Sequence, residues 1–279
     1  MTSKKVAIVT GGASGIGLSV ARDLLRRDWE VHILYHNSTG KAAEELPQVY
    51  LKQVDVRSWR SLSQAFEDAF QQSGRLDFVF ANAGVVANDE FLSDEQDASH
   101  PLPVDTSPIA VNLEGTIRTS RLAHHYFVRS PHQGQGASLL INASASALYP
   151  SGFVPVYGAS KAGIVYFVRA IAEKLFRSHG IRVNSICSGA VYTPLVSPET
   201  WSRFPVDFFI RMENVVTIVR RLIDDGPLED SASRPVAVGS KYGLVVEIGT
   251  SGFYIRDVQE FNDMAAKASL TLISEFEKM

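Results

Sequence analysis

The stretch Val6-Ala7-Ile8-Val9-Thr10-Gly11-Gly12-Ala13-Ser14-Gly15-Ile16-Gly17 decides how the chain folds. Val6 to Val9 is a short, continuously apolar, β-branched run, the mark of a strand covered on both faces. The glycines that follow read as a tight turn, and Leu18 to Arg27 has the pattern of a helix. Glycine in such a turn lets the main chain come close to a bound group. The open amides of the helix's first turn, together with the positive end of its dipole, suit a pyrophosphate. The spacing is not the Gly-x-Gly-x-x-Gly of the commonest dinucleotide fingerprint, so the assignment depends on the rest of the chain.

Outward from that unit, β-branched runs alternate with helical patterns. Val6 to Thr10, Val31 to Tyr35, Val49 to Val54, Phe78 to Ala81, Ser138 to Asn142, Arg182 to Ile186 and Leu244 to Ile248 read as strands. Apolar strands separated by helices predict an α/β fold, a doubly wound parallel sheet with right-handed crossovers and a ligand crevice at the carboxyl ends of the strands. Gly11, Asp55, Asn82, Ser144 and Gly189 each fall just after a predicted strand, where that fold gathers them. At 279 residues with 45 % hydrophobic content, one domain over 1–279 is expected.

Tyr157-Gly158-Ala159-Ser160-Lys161 opens a strongly periodic helical stretch thirteen residues after Ser144. Tyr157 and Lys161 lie one turn apart on one face. A phenol titrating near ~10 is a poor acid at neutral pH, and a nearby ammonium can lower that value. A serine hydroxyl arriving from a strand end can hold a substrate oxygen beside the phenol, which is carbonyl and alcohol chemistry. The plain alternative makes Tyr157 a core aromatic, Lys161 a snorkelling cation and Ser144 a turn residue.

Thr10-Gly11-x-x-x-Gly15-x-Gly17, Asp55, Asn82-Ala83-Gly84, Asn112, Ser144, Tyr157 and Lys161 together resemble the classical short-chain dehydrogenase/reductase family, in its fungal members, in identity, order and spacing. The resemblance covers nearly the whole chain and implies a Rossmann-type domain with Asn112, Ser144, Tyr157 and Lys161 as catalytic residues. It implies a cofactor site made by Thr10, Gly11, Ser14, Gly15, Ile16 and Gly17, by Asp55 and Val56 near the adenine, and by Asn82, Ala83 and Gly84 along the ribose. Gly189, Val191 and Thr193 are implied at the nicotinamide end, Lys161 at its ribose beside Tyr157, and Asn112 as the anchor of a water leading from Lys161 to solvent. The sequence departs from the family pattern at Ala81, which precedes Asn82, at Ser188 before Gly189, and in an acidic insertion after the fourth strand.

Cofactor choice turns on the position eighteen residues past Gly17, where NAD-preferring relatives usually carry Asp and this chain has Tyr35. Tyr35, His36, Asn37, Ser38 and Thr39 offer uncharged hydrogen-bonding groups, resemble the matching stretch of NADPH-dependent fungal naphthol reductases, and favour NADP(H). NAD(H) stays possible, because Ser14 stands where NADP-preferring relatives often have Lys or Arg. The resemblance implies hydride transfer between the cofactor and a small or medium apolar ketone or secondary alcohol. Its alternative is a dinucleotide-binding protein with a sensing or non-redox role.

A formal charge of -3 and a pI near 6.2 give no general attraction to nucleic acid. Cys187 stands alone, which excludes an intrachain disulfide, and Met1 to Lys5 does not resemble a signal segment, so a cytoplasmic protein is expected. No apolar run approaches a membrane span. His124 and His125 are adjacent and face different sides of a helix, so no metal site is expected. Residues 88–108, with six acidic residues and three prolines, read as a solvated loop. The family resemblance implies that the span 195–225 is a substrate cover, with Trp201, Phe204, Phe208 and Phe209 between Leu195 and Arg211 closing over an apolar molecule. The helical stretches Ile109 to Arg129 and Val156 to Arg177 carry more apolar positions than one buried stripe needs, and the family resemblance implies that these helices pair across two-fold axes in a homodimer or homotetramer.

Overall fold

The structure is a computed structural model, and it describes residues 4–37, 41–47, 49–87 and 103–276. Its elements run β1 (Val6–Thr10), α1 (Gly15–Arg26), β2 (Glu30–Tyr35), α2 (Lys41–Glu44), β3 (Val49–Gln53), α3 (Trp59–Ser73) and β4 (Phe78–Ala81). After a π-helical segment, Ile109–Glu114, come α4 (Gly115–Arg129), β5 (Ser138–Asn142), α5 (Pro155–His179) and β6 (Arg182–Ser188). The last part holds α6 (Pro198–Trp201), α7 (Met212–Ile223), β7 (Leu228–Glu229), β8 (Pro235–Val236), β9 (Val245–Ile248), β10 (Phe253–Ile255) and α8 (Met264–Phe276).

Among the described residues the main sheet has eight strands in the order β3-β2-β1-β4-β5-β6-β9-β10, and only β10 runs antiparallel, against β9. The seven parallel strands correspond to the seven read from the sequence. The pleat divides each strand between two cores. Val6 and Ile8 of β1 join α3, α4 and α5 side chains such as Phe66, Phe127 and Ile164. Ala7 and Val9 face the other way, with Val20 and Leu24 of α1 and Val215 and Leu222 of α7. Burial on both faces is why the strands read as unbroken apolar runs.

Element ends follow local chemistry. Ser58 caps α3 by accepting from the Ser61 amide at 3.2 Å, and Gly74 ends it in the left-handed region at φ 69°. Pro155 starts α5, and Gly180, at φ 67°, stops it before β6. α1 leads from β1 to β2 over one face, and α3 leads from β3 over the other face to β4 on the far side of β1, so a crevice opens at the carboxyl ends of β1 and β4, where the sequence motifs converge. Of the acidic stretch, residues 88–102 lie outside the described residues, as do Ser38 and Thr39.

Candidate active site and cofactor crevice

The turn after β1 is built for close approach. Gly11 has φ 62°, and a Cβ there would stand 2.8 Å from the Ala83 Cα; one on Gly17 would stand 2.4 Å from the Gly11 carbonyl oxygen. Gly15, at φ 52°, faces Thr193, whose side chain a Cβ would meet at 3.1 Å. Ser14 is the N-cap of α1 and its side chain makes no capping bond, so the first-turn amides face the crevice uncapped by the protein. A pyrophosphate fits that arrangement.

Thr10 and Asn82 act as braces for this turn. The Thr10 hydroxyl accepts from the Asn82 and Ala83 amides at 3.0 and 3.1 Å. Asn82 Nδ2 donates to the Thr10 and Gly11 carbonyls, both at 3.1 Å, and Asn142 Nδ2 donates to Asn82 Oδ1 at 2.9 Å. The Asn82 side chain is thus engaged with the turn itself. Gly84 lies against two of the expected catalytic residues: a Cβ there would come 3.2 Å from Asn112 Oδ1 and 3.6 Å from Lys161 Nζ.

At the outer end of the crevice, Asp55 follows β3 and is held by Arg57, whose Nε reaches both carboxylate oxygens at 3.0 and 3.1 Å. Those bonds pull the Asp55 carboxyl below its ordinary range. His36 lies 3.7 Å from the same carboxylate and shares a 2.9 Å hydrogen bond with Asn37. Tyr35 closes β2 beside them. Arg57 was not marked by the sequence reading. Its guanidinium meets Asp55 within the turn after β3, and the pairing of β2 with β3 brings that turn beside His36. Val56 packs under Gly115, where a Cβ would stand 2.7 Å from its side chain.

The four expected catalytic residues come together. Ser144 stands two residues past β5, where its hydroxyl accepts from the Ser146 amide at 3.1 Å and lies near enough to the Tyr157 phenol to favour its ionised form. Lys161, one turn along α5, is 4 % exposed, with Nζ 5.6 Å from the Tyr157 ring centroid and donating to the Asn142 carbonyl at 2.7 Å. Asn112 is fully buried in the π-helical segment. Its Nδ2 donates to the Val85 carbonyl and to Ser160 Oγ, both at 3.0 Å, and its Oδ1 accepts from the Val85 amide at 2.8 Å. It ties the strand end of β4 to α5, with both N–H donors engaged. Ser160 completes the link by donating to the Tyr157 carbonyl at 2.7 Å.

Electrostatics in the site are governed by burial. Desolvation pushes the Tyr157 phenol up, and the Ser144 hydrogen bond opposes it. The net direction is opposite to the lowering expected from the Lys161 ammonium, because a buried phenolate loses more hydration than its neighbours return. Burial also brings Lys161 down from 10.5 to about 8. Cys187, on β6 beside them, is pushed up to about 12 and stays a protonated, unreactive thiol at neutral pH. Asn142 and Cys187 were not singled out as site residues by the sequence, since each becomes a neighbour only through strand order; Ser160 stands inside the Tyr157 to Lys161 motif, and its bond to Asn112 is what the sequence could not show.

The span 195–225 divides in two. α7 sends Val215, Ile218, Val219, Leu222 and Ile223 into the core, and its Arg220 pairs with the buried Asp23 of α1. Residues 195–211 precede it as a separate segment. Within it Trp201 is 9 % exposed, its Nε1 donates to the Thr193 carbonyl at 2.8 Å, and Tyr192, Phe204 and Phe209 pack around its ring at 5.3 to 6.2 Å. Trp201 is therefore an internal anchor. Tyr192, Phe204 and Phe208 keep 62, 40 and 61 % of their surface exposed.

A doubly wound sheet with a glycine-rich anion cradle, and with half-buried Ser144 and Tyr157 beside the buried Lys161 at its switch point, is the frame of a dinucleotide-dependent oxidoreductase. Residues 5–202 match the family model for short chain dehydrogenase. The chain is 42 % identical over 261 residues to short-chain dehydrogenase/reductase prx7 of Penicillium rubens, covering 89 % of this chain and 92 % of that one. It is 33 % identical over 202 residues to the NAD(+) 15-hydroxyprostaglandin dehydrogenase of Mus musculus, covering 69 % of each. A solved actinorhodin polyketide ketoreductase variant with NADPH shares the fold, at a TM-score of 0.73, 23 % identity and coverage of 88 % of this chain and 96 % of that one. The chain belongs to the short-chain dehydrogenase/reductase family, and it is an NAD(P)-dependent oxidoreductase.

Among the described residues no helix is long and apolar enough to cross a membrane, and no three His, Cys, Asp or Glu side chains group as metal ligands.

Proposed function

We propose that the chain is an NADP(H)-dependent oxidoreductase that interconverts an apolar ketone and a secondary alcohol at Ser144, Tyr157, Lys161 and Asn112. The observation that supports this reading is the Ser144 hydroxyl near the Tyr157 phenol, with the buried Lys161 Nζ 5.6 Å from the ring centroid. Bound in the crevice, the nicotinamide dinucleotide supplies or accepts the hydride. In the direction of reduction, Tyr157 donates its proton to the carbonyl oxygen as charge develops there, and Ser144 hydrogen-bonds the same oxygen. A phenol raised by burial is fully protonated at neutral pH and ready to donate. Lys161, titrating at about 8, is a cation at neutral pH and stabilises the phenolate that forms. Asn112 holds α5 and the Gly84-Val85 backbone in register, which fixes where Tyr157 and Lys161 stand.

Preference for the phosphorylated cofactor is supported by the missing carboxylate at Tyr35 and by two cationic or ionisable groups at that end, His36 and Arg57, both facing Asp55. The apolar substrate is supported by the exposed rings of Phe153, Tyr192, Phe204 and Phe208 on the segments that follow β5 and β6. A panel of ketones and alcohols assayed with NADPH and NADH side by side tests the reading. We expect turnover of apolar ketones and tighter binding of NADPH. Tighter NADH binding would refute the cofactor choice, whereas Tyr35→Asp is expected to shift selectivity toward NADH by repelling the 2'-phosphate.

A further inference from the structure

The chain beyond the family-model match adds the antiparallel edge strand β10, and at its carboxyl end Arg256 joins three parts of the structure. Its amide donates to the Val245 carbonyl of β9 at 2.8 Å. Its carbonyl accepts from Arg169 Nη2 of α5 at 3.0 Å. Its guanidinium donates through Nε to the Glu247 carboxylate, and through Nη2 to the Tyr149 phenol oxygen at 3.1 Å. The Tyr149 hydroxyl donates in turn to Glu247 Oε2 at 2.9 Å. The three side chains close a ring between β9, the strand beyond it and the loop that leads from β5 to α5.

That loop carries Ser144. The Leu148 and Tyr149 amides both donate to the Ala145 carbonyl at 2.9 Å, and Ser144 Oγ caps the same turn through the Ser146 amide at 3.1 Å. Tyr149 is thereby one tight turn from Ser144. Its ring is 50 % exposed and belongs to no aromatic cluster in the core, so apolar burial is not what fixes its place. The hydroxyl is. Glu247 keeps only 17 % of its side-chain surface exposed, and bonds to its carboxylate are charge-assisted, about twice as strong as neutral ones.

We propose that Tyr149, held by Glu247 and Arg256, is a positioning residue that fixes the Ser144 hydroxyl against the Tyr157 phenol. The inference rests on the proposed role of Ser144 at the substrate oxygen. Through it the edge strand, which lies outside the family-model match, governs the geometry of the reacting centre. Small displacements of a hydrogen-bonding group at a reacting oxygen cost large factors in rate.

The test is a thermodynamic cycle on the full chain with Tyr149→Phe, Ser144→Ala and the double variant, using NADPH and the best ketone of the panel. Tyr149→Phe keeps the ring and removes the anchoring hydroxyl. It is expected to lower kcat about tenfold while NADPH affinity stays within about twofold, because the cradle is untouched. In the Ser144→Ala background it is expected to change kcat no further, since residues acting through one group are not additive. Arg256→Met should repeat both results. Wild-type kcat in Tyr149→Phe, or the same loss with and without Ser144, overturns the inference and leaves the reading of the site standing. Full activity in Ser144→Ala overturns that reading, and this inference with it.

Discussion

Tyr157 and Lys161 carry opposite consequences of burial. Tyr157→Phe removes the proton donor and keeps the ring, so we expect kcat to fall by about 10²-fold or more with cofactor binding retained. Single-turnover and cofactor-titration measurements together check this; retention of more than about a tenth of wild-type kcat would sink the role. Lys161 is costly to the fold for the same reason it is useful. Its value drops from 10.5 in the open chain to about 8 in the folded one. Between those values the unfolded chain binds more protons, so stability rises with pH there, and below about 8 the cost of the buried cation is present in full. Lys161→Met is therefore expected to be inactive yet more stable at pH 7, by up to about 3 kcal/mol before the lost Asn142 hydrogen bond is counted. Urea unfolding at pH 7 and pH 10 should show the gain shrinking at the higher pH. A variant less stable than wild type at pH 7 would show that Lys161 is well compensated where it lies.

The elements around the crevice differ in how readily their roles were visible beforehand. The β1 turn and the start of α5 were plain because their residues stand together in the chain. The cover after β6 was not, because the same aromatics can grip a substrate or pack on each other, and composition cannot distinguish the two. The structure separates them: Trp201 is enclosed and bonded to Thr193, whereas Phe208 stands largely exposed. Trp201→Ala is expected to lower the melting temperature and weaken cofactor binding together, since it frees the segment that places Thr193 against Gly15. Phe208→Ala should raise KM for an apolar ketone with the melting temperature and cofactor affinity little changed. If Trp201→Ala altered KM for the ketone alone, the anchor role would be wrong. The π-helical segment at Asn112 is a second element hidden from the sequence. A six-residue π segment carries no residue signature that sets it apart from the α4 that follows, yet it brings the Asn112 amide to Val85 and Ser160.

For the molecule as a whole, α4 and α5 cover one core and still present Ile117 and Tyr166 to the outside, at 40 and 77 % exposure. A large apolar side chain left bare on the longest helix is an expected contact with a second copy. We expect a homodimer or homotetramer, with Tyr166→Glu shifting it toward the 30.6 kDa monomer in light scattering. A monomer at micromolar concentration before any substitution would contradict this. Charge is not expected to drive that contact, since the net formal charge is only -3.

By itself the sequence determined the strand-turn-helix cradle, the alternation that makes a parallel sheet, and the Ser144, Tyr157 and Lys161 set. These depend on residues close in the chain or on apolar periodicity, both written locally. Tertiary structure alone decided which groups meet across elements: His36 by Asp55, Asn142 under Lys161, Cys187 beside Lys161, and Tyr149 with Glu247 and Arg256. It also set the direction of the Tyr157 and Lys161 shifts, because desolvation depends on how much protein surrounds a group and not on which neighbour it has in sequence.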